Sequence, residues 1–219
     1  IGVKDKALDE SKQARIYAQA LGLQHKVVTF GESELLQYND QHFQSLTEPF
    51  GDYSSLPTYL ITKIARADNT VMLSGDGGDE LFWGYPRFLN VVNHFNWFRY
   101  PRVLRKAGAG VLRRTGRRVS YAVSHVENIE DWILGQQSHN NPDLLKKLLP
   151  DLTYSSDVLE YYTLTEEIQS KAALLHWLRW NEFYAHMQRV LAKVDRTSMG
   201  NSLEVRVPFL DQRIIDFAW

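Results

Sequence analysis

One acidic, glycine-rich stretch contains the residues with the clearest capacity for chemistry. Residues 71–85 read VMLSGDGGDELFWGY, in which positions 74–80 hold three glycines and three carboxylates. The apolar run Val71–Leu73 is typical of a strand buried on both faces of a parallel sheet, and the glycines let the following backbone turn and approach a ligand. We therefore predict that the carboxylates lie where a strand ends and a helix begins. Open α/β sheets bind ligands at that edge.

The carboxylates of this turn are Asp76, Asp79 and Glu80. They would repel a bare phosphate. A Mg²⁺ ion bound between them would remove this repulsion, because Mg²⁺ prefers carboxylate and phosphate oxygens as ligands. The turn thus predicts a magnesium-dependent phosphate site. The alternative interpretation is a solvated surface turn, or a helix N-terminus whose dipole stabilises Asp79 and Glu80.

A second group of functional candidates comprises Lys193, Asp195 and Arg196. Apolar residues predict a long core helix over Glu166–Leu191, since they cover more than one side of that helix. We expect the three charged residues to follow this helix, which would direct them at the acidic turn.

Charged and apolar residues alternate in the segment 203–211, which reads LEVRVPFLD. This pattern favours a largely buried segment whose charges are paired. Structural ion pairs are therefore the preferred interpretation for Glu204, Arg206 and Asp211.

The elements before the acidic turn predict an α/β fold. A strand, two helices and a second strand in this order imply a parallel pair joined by a right-handed crossover. The predicted elements are a helix over Asp9–Leu21, a strand over His25–Phe30, helices over Ser33–Leu46 and from Ser55, and the strand at Val71. Few strands make an unstable sheet, so we expect the chain to be a fragment with further strands before Ile1.

The composition describes an ordinary globular domain. The 219 residues are 44% hydrophobic and 23% charged, which is enough for one domain with a real core. The formal net charge of −1 provides no field to attract nucleic acid or a membrane surface, and no apolar run approaches the ~20 residues that span a bilayer. The absence of cysteine excludes disulfides, thiolate metal sites and cysteine nucleophiles, which is consistent with the cytoplasm.

A basic run offers a different functional hypothesis. Eight Lys and Arg residues occur between Arg99 and Arg118 with no acid among them, a pattern that could bind nucleic acid or an acidic partner. Glycines at 108, 110 and 116 weaken the run as a helix, and the neutral overall charge argues against nucleic acid. The seven histidines show no zinc spacing, and no serine nucleophile elbow or P-loop is present.

Three motifs together resemble the synthetase domain of the glutamine-hydrolysing asparagine synthetases and of their relatives, the β-lactam synthetases. Residues 71–85 look like the family's nucleotide and magnesium loop, and residues 203–211 look like its second signature. Glu48–Asp52, with Ser54, Ser55 and Pro57, matches a third motif. The resemblance covers residues 1–219 and is weakest between Phe88 and Leu164.

The resemblance implies an α/β fold of the adenine-nucleotide α-hydrolase-like (HUP/PP-loop ATPase) type. In this chain it would be a partial parallel sheet with a mostly helical C-terminal part. It also implies an ATP-dependent amide-forming ligase domain, which uses ATP and Mg²⁺ to convert aspartate to β-aspartyl-AMP with release of pyrophosphate. Ammonia then attacks this intermediate and releases AMP. The implied partners are aspartate, ammonia and a second copy in a homodimer, with no nucleic acid or membrane.

The resemblance also implies roles for individual residues. Asp79 would bind Mg²⁺, Asp76 would lie near the acyl-adenylate and orient or deprotonate the amine, and Tyr85 would line the same pocket. Lys193, Asp195 and Arg196 complete the catalytic candidates. The expected nucleotide contacts are Ile1, Ser74, Gly75, Gly77 and Gly78.

Because the chain departs from the family pattern, we expect it to be a fragment of a longer protein. The family's pyrophosphate loop, Ser-Gly-Gly-x-Asp-Ser, would precede Ile1, a pyrophosphate-binding lysine would follow Trp219, and the glutaminase domain is not in the chain. We expect a single domain over residues 1–219 that is catalytically incomplete by itself. Trp83 stands where the family often has glycine, so amide formation on another carboxylate stays open. A non-catalytic interaction module that keeps the fold is a further alternative.

Overall fold

The structure, a computed structural model, describes residues 2–3, 9–115, 123, 125–137, 142–151, 153, 159–164 and 167–219. The chain divides into two units. The first unit comprises Ile1–Ser74 and Val190–Pro208, and the second unit comprises Gly75–Arg189 and Phe209–Trp219. Parallel strands together with a mostly helical C-terminal part confirm the predicted α/β class.

The strands of the first unit form two parallel pairs. Strand β1 (Gly2–Val3) pairs with β2 (Thr29–Phe30), and β3 (Val71–Leu73) pairs with β4 (Glu204–Arg206). The register places Met72 opposite Val205. The prediction that the strand ending at Phe30 pairs with the strand at Val71 is wrong: among the described residues each of them pairs in parallel with a different strand.

The predicted burial of β3 on both faces is wrong. Val71 is 40% exposed and Leu73 is 67% exposed, while Met72 between them is partly buried. Within the described part of the chain, β4 is the only strand hydrogen-bonded to β3. The apolar run therefore predicted the strand correctly, but it did not predict how far the two faces of the strand are buried.

The described part of the first unit contains three helices before β3, and buried polar side chains fix the third of them. They are α1 (Ser11–Ala20), α2 (Glu32–Ser45) and α3 (Ser55–Arg66). The amide of Asn201 donates to the carbonyl oxygen of Tyr59 at 2.8 Å and to Thr62 Oγ1 at 3.0 Å. Thr62 and Thr197 are fully buried, and Thr62 Oγ1 donates to the Thr197 carbonyl at 3.3 Å. These bonds tie α3 to the segment that leads into β4.

The second unit is built from helices around one apolar core. The described helices are α4 (Gly78–Phe82), α5 (Pro86–Phe98), α6 (Arg102–Arg114), α7 (Ile129–Gln137), α8 (Pro142–Leu148), α9 (Lys171–Asn181), a π-helical turn (Glu182–His186), α10 (Met187–Met199) and α11 (Gln212–Ala218). From Val190 onward α10 belongs to the first unit. Helices α5, α7 and α9 supply the core, which comprises Phe88, Val91, Phe95, Ile129, Trp132, Ile133, Leu174 and Leu178.

The helix predicted over Glu166–Leu191 begins later and ends later. Helical structure runs from Lys171 to Met199, with the π turn between α9 and α10. Lys193, Asp195 and Arg196 therefore lie inside the helix, and the prediction that they follow it is wrong. None of the helices within the described ranges has the length and apolar character needed to cross a membrane.

The basic run forms helix α6, although two glycines interrupt it. A Cβ at Gly108 would lie 3.3 Å from the Trp97 ring, so glycine permits this close approach. Arg105 is almost fully buried, and Arg102 pairs with Glu127 at 2.6 Å. Arg102 and Arg105 are thus engaged within the unit, while Arg117 and Arg118 lie outside the described residues.

Candidate active site

The acidic turn is shaped by a glycine in the left-handed region. Gly77 has a φ of +90° and immediately precedes α4, a conformation in which a side chain would be strained. A Cβ at this position would also lie 3.3 Å from the side chains of Phe209 and Leu210. The end of the second signature therefore packs directly on the turn, and glycine is required there for both reasons.

Asp79 lies in the first turn of α4 and is exposed. A Cβ at Gly84 would lie 1.8 Å from Asp79 Oδ1, so this carboxylate occupies the space above Gly84. The backbone N–H of Gly84 donates to the Asp79 carbonyl at 2.9 Å. Asp76 is partly exposed. Both carboxylates are accessible to a ligand, whereas Gly75 and Gly78 contribute backbone alone.

Glu80, the third carboxylate of the turn, points into the core instead. Its side chain is 2% exposed, it accepts a hydrogen bond from the Tyr85 hydroxyl at 2.6 Å, and its Oε1 lies 3.4 Å from His186 Nδ1. Burial raises the pKa of Glu80, but the contacts with His186 and Tyr85 outweigh it and hold the pKa below its usual value. The sequence had grouped Glu80 with the two other acids. Tertiary contacts separate it from them.

Tyr85 is held by Glu80 and by Arg87. Burial and the hydrogen bond to Glu80 raise the pKa of Tyr85 well above its ordinary value, so the phenol stays protonated. The Arg87 guanidinium lies over the Tyr85 ring at 3.7 Å. Tyr85 can therefore donate a hydrogen bond, but it cannot act as a base near neutral pH.

Arg87, which packs on the Tyr85 ring, also forms an ion pair with the buried Glu182. Arg87 donates from Nε and Nη2 to the two carboxylate oxygens of Glu182, at 2.8 and 2.5 Å, and Gln137 Nε2 donates to Glu182 Oε1 at 2.8 Å. Burial alone would lower the pKa of Arg87, and Glu182 raises it above the usual value. Sequence reasoning missed this set. The spacing of four between Glu182 and His186 on a predicted helix was the available signal.

Ser74 has an unusual environment at the end of β3 in the first unit. Its backbone N–H donates to the Arg206 carbonyl at 2.9 Å, which extends the pairing of β3 with β4. Its Oγ is buried and has no hydrogen-bond partner among the described residues. Buried hydroxyls are normally paired, so this one fits a residue whose partner is a ligand. Ile1, the other predicted nucleotide contact outside the turn, lies beyond the described residues.

The catalytic candidates on α10 belong to the first unit. Arg196 pairs with Glu48 Oε1 at 2.5 Å and lies 5.4 Å from the Phe50 ring. The structure thus joins Arg196 to the third motif. Asp195 is exposed and Lys193 is partly exposed.

The segment after α10 departs from its predicted burial. Glu204 and Arg206 pair at 2.7 Å as expected, but both side chains are more than half exposed. Asp211 begins α11, where it accepts from the Arg213 backbone and side chain. The prediction of paired charges is confirmed, and the prediction of a largely buried segment is wrong because the pairs form at the surface.

The donor groups of the turn suit one magnesium ion bound with phosphate. The described residues contain no group of three or more His, Asp or Glu side chains arranged to hold a metal by themselves. Mg²⁺ commonly takes one or two protein carboxylates and completes its coordination with phosphate oxygens and water. Asp79 and Asp76 are accessible oxygen donors of that kind, so the residues present fit such an ion.

The sequence of the chain matches a known protein family over its whole length. The profile of the asparagine synthase family matches residues 1–219. The chain belongs to the asparagine synthase family. The family match confirms the resemblance read from the three motifs, and it covers both units of this asparagine synthase domain.

Several proteins are similar in sequence to the domain. Asparagine synthetase [glutamine-hydrolyzing] 1 of Bacillus subtilis is 27% identical over the whole chain and 35% of its own length. A putative asparagine synthetase of Mycobacterium bovis is 27% identical over 99% of the chain and 34% of its own length. A putative asparagine synthetase of Methanocaldococcus jannaschii is 39% identical over 46% of the chain and 20% of its own length.

The asparagine synthase domain thus spans about a third of the length of the first of these relatives. No solved structure is significantly similar to it.

Proposed function

We propose that this chain is the carboxylate-activating part of an ATP-dependent amide-forming ligase. The observation that carries the proposal is the turn before α4, where Gly77 and Gly84 shape the backbone and leave the Asp79 carboxylate accessible. The family match supports the same class of reaction. A carboxylate accepts an amine only after it has received a good leaving group, which ATP can supply.

The proposed substrates are aspartate, ATP and ammonia. The side-chain carboxylate of aspartate attacks the α-phosphate of ATP, β-aspartyl-AMP forms and pyrophosphate leaves. Ammonia then attacks the acyl carbon, so asparagine forms and AMP leaves. Mg²⁺ bound by Asp79 would offset negative charge on the phosphate oxygens.

The residues of the turn take complementary roles in this proposal. Ser74 offers its buried hydroxyl to the nucleotide, and Gly75, Gly77 and Gly78 let the backbone come close to it. Asp76 orients the attacking amine and accepts a proton from it.

Tyr85 remains protonated in this proposal. It lines the pocket and donates a hydrogen bond to Glu80, so it does not take part in proton transfer.

The candidates on α10 have proposed supporting roles in catalysis. Arg196 carries a charge close to the Glu48–Asp52 motif. Lys193 and Asp195 lie within one turn of Arg196 on the same helix. We assign these three residues to the binding of the charged substrates.

The acceptor acid is the least constrained part of the proposal. Trp83, at the end of α4, donates its indole N–H to the Leu175 carbonyl at 2.8 Å and lies against Arg179. A bulky ring in this place favours a second candidate function, in which the ligase forms an amide on a carboxylic acid other than aspartate. Assaying several acids as substrates distinguishes the two.

Asp79→Asn tests the proposal in the full-length protein. We expect magnesium-dependent pyrophosphate release to fall by at least about 100-fold, because the amide is a much poorer ligand for Mg²⁺ than the carboxylate. The measurement is pyrophosphate release with ATP, ammonia, a series of acids and increasing Mg²⁺.

Asp131→Asn provides the matched control, since Asp131 is an exposed helical acid of the second unit. An unchanged rate in Asp79→Asn would refute the role of Asp79. Absence of pyrophosphate release with every acid would refute the ligase proposal itself.

A further inference from the structure

Arg179 is a buried charge with no ion pair among the described residues. It lies on α9 in the second unit and is 3% exposed. Its Nε and Nη1 are buried and have no hydrogen-bond partner among the described residues. Arginine does not lose its proton in proteins, so the positive charge persists even though burial lowers its pKa. A buried, unpaired guanidinium is unfavourable unless something else completes it.

Trp83 fixes one face of this guanidinium. The indole ring lies 3.8 Å from the guanidinium carbon, and its N–H is anchored to the Leu175 carbonyl one helical turn earlier on α9. Trp83 adopts a φ of 56°, a left-handed conformation that is uncommon for a bulky residue. The cation–π contact compensates part of the charge, but it satisfies none of the N–H groups at the guanidinium edge.

The remaining donors point away from the Trp83 face. Nε and Nη1 lie on opposite edges of the guanidinium plane, so unpaired N–H groups are present on both edges. Trp219 is the other aromatic ring near Arg179, at 5.7 Å, and it is 42% exposed. Both edges can therefore bind an acceptor that the described residues do not supply.

Arg87, a second arginine near the acidic turn, shows how a guanidinium packed on an aromatic ring can be paired with a carboxylate. Arg87 is fixed on the Tyr85 ring and is paired through two parallel hydrogen bonds with Glu182. A carboxylate is the group whose geometry matches a guanidinium edge in this way. Arg179 has the aromatic face, but no carboxylate from the described part of the chain pairs with it.

We propose that Trp83 and Arg179 form a carboxylate-binding site for the small acid that the enzyme activates. The occupant is the carboxylate at the far end of that acid, and this choice of occupant rests on the proposed ligase function. Trp83 directly follows α4, the short helix whose first turn contains Asp79, and the Trp83 ring packs on Arg179, so both groups adjoin the same helix. A small dicarboxylate or amino acid has two charged ends, so one end can bind Arg179 while the other lies near the phosphate-binding turn.

Calorimetric titration of the full-length protein tests the site without turnover. Succinate is the probe, succinamide is its neutral analogue, and inorganic phosphate is the competing anion. We expect wild type to bind succinate, to bind phosphate more weakly and not to bind succinamide. Arg179→Met should weaken succinate binding by at least about tenfold, because the paired charge is lost. Arg99→Met, a change of an exposed arginine in the same unit, should leave succinate affinity unchanged.

Thermal unfolding without ligand supplies a second readout. Arg179→Met should raise Tm by about 2–5 °C, because an unpaired buried charge is replaced by an apolar side chain. Arg99→Met should leave Tm where it is. A fall of Tm in Arg179→Met would show that Arg179 already has a partner in solution, and it would overturn the proposal.

The remaining outcomes are also decisive. Equal succinate affinity in wild type and Arg179→Met, or no succinate binding by wild type, overturns the site. Tighter binding of phosphate than of succinate through Arg179 overturns its assignment to a carboxylate. If succinate binds through Arg179 but no acid supports pyrophosphate release, the ligase proposal fails and the carboxylate site stands.

Discussion

Arg105 and Arg179 occupy two regions of the second unit that look alike by burial and differ in hydrogen bonding. Their side chains are 2% and 3% exposed, and each guanidinium lies over an aromatic ring, Phe98 at 4.5 Å and Trp83 at 3.8 Å. Arg105 donates to the carbonyl oxygens of Tyr100, Val123 and Glu127, at 3.0, 2.7 and 2.6 Å. Arg179 leaves two of its nitrogens without any partner in the described part of the chain.

The difference separates a structural charge from an available one. Arg105 joins α6 to the segment around Val123 and Glu127, so its donors are consumed in holding the fold together. Arg179 makes no such connection through its Nε and Nη1, and its donors remain for a ligand. Burial by itself therefore does not distinguish a structural arginine from one that can bind a ligand. The hydrogen-bond partners of the side chain do distinguish them.

The largest expected effect is that of Arg105→Met. It removes three hydrogen bonds and leaves buried carbonyl oxygens unpaired, so we expect a loss of about 3 kcal/mol in the free energy of unfolding. For a chain of this size the loss corresponds to a fall in Tm of about 6–12 °C. Denaturant unfolding and calorimetry measure it.

Arg99→Met is again the control for the chemical change, since Arg99 is exposed. A loss below about 1 kcal/mol in Arg105→Met would remove the distinction between the two arginines.

A smaller effect is expected for Trp83→Phe. Phenylalanine keeps a ring against Arg179 but cannot donate to the Leu175 carbonyl, so the free energy of unfolding should fall by about 1 kcal/mol. Denaturant unfolding provides the measurement. Trp97→Phe is the matched control, because the Trp97 ring packs near Gly108. If Trp83→Phe is no more destabilising than this control, the indole N–H does not anchor the ring.

The smallest expected effect on stability is that of His42. Unlike a buried arginine, a buried histidine can lose its proton and become neutral. His42 is 3% exposed, its Nε2 lies 3.0 Å from Ser55 Oγ, and burial lowers its pKa. Because the pKa is lower in the folded state, the unfolded state takes up the proton first as pH falls. The contribution of His42 is thus complete above the unfolded value of about 6.5 and is lost as pH falls below it.

Unfolding at pH 7.5 and pH 5.5 should therefore show lower stability at pH 5.5, with a slope from His42 of at most about 1.4 kcal/mol per pH unit. His42→Gln should reduce this slope. An identical pH dependence in the variant would show that His42 carries its proton in the folded protein.

Local patterns predicted a large part of the fold. The apolar run Val71–Leu73 is a strand, and the glycines after it form the expected turn before a helix. The helix Ser11–Ala20 lies within its predicted limits, Asp9–Leu21. These features depend on neighbours along the chain, so their spacing is sufficient to predict them.

Predictions about the surroundings of a residue were less successful. Glu80 was grouped with two exposed acids, but Tyr85 and His186 bind it in the core. Lys193 was placed after a helix that in fact continues past it. Each error arose where a contact with a distant residue, or the packing of a whole helix, outweighed the local pattern.

The amino-acid sequence by itself determined the family, the strand at Val71 and the turn that carries Asp76 and Asp79, because backbone geometry and motif spacing are local properties. Only the tertiary structure decided which charges are paired. Arg105 finds three carbonyl oxygens, whereas Arg179 finds the face of Trp83 and no acceptor for its Nε or Nη1 in the described residues. The partners of a buried charge come from segments far apart in the chain, so their presence depends on how those segments pack.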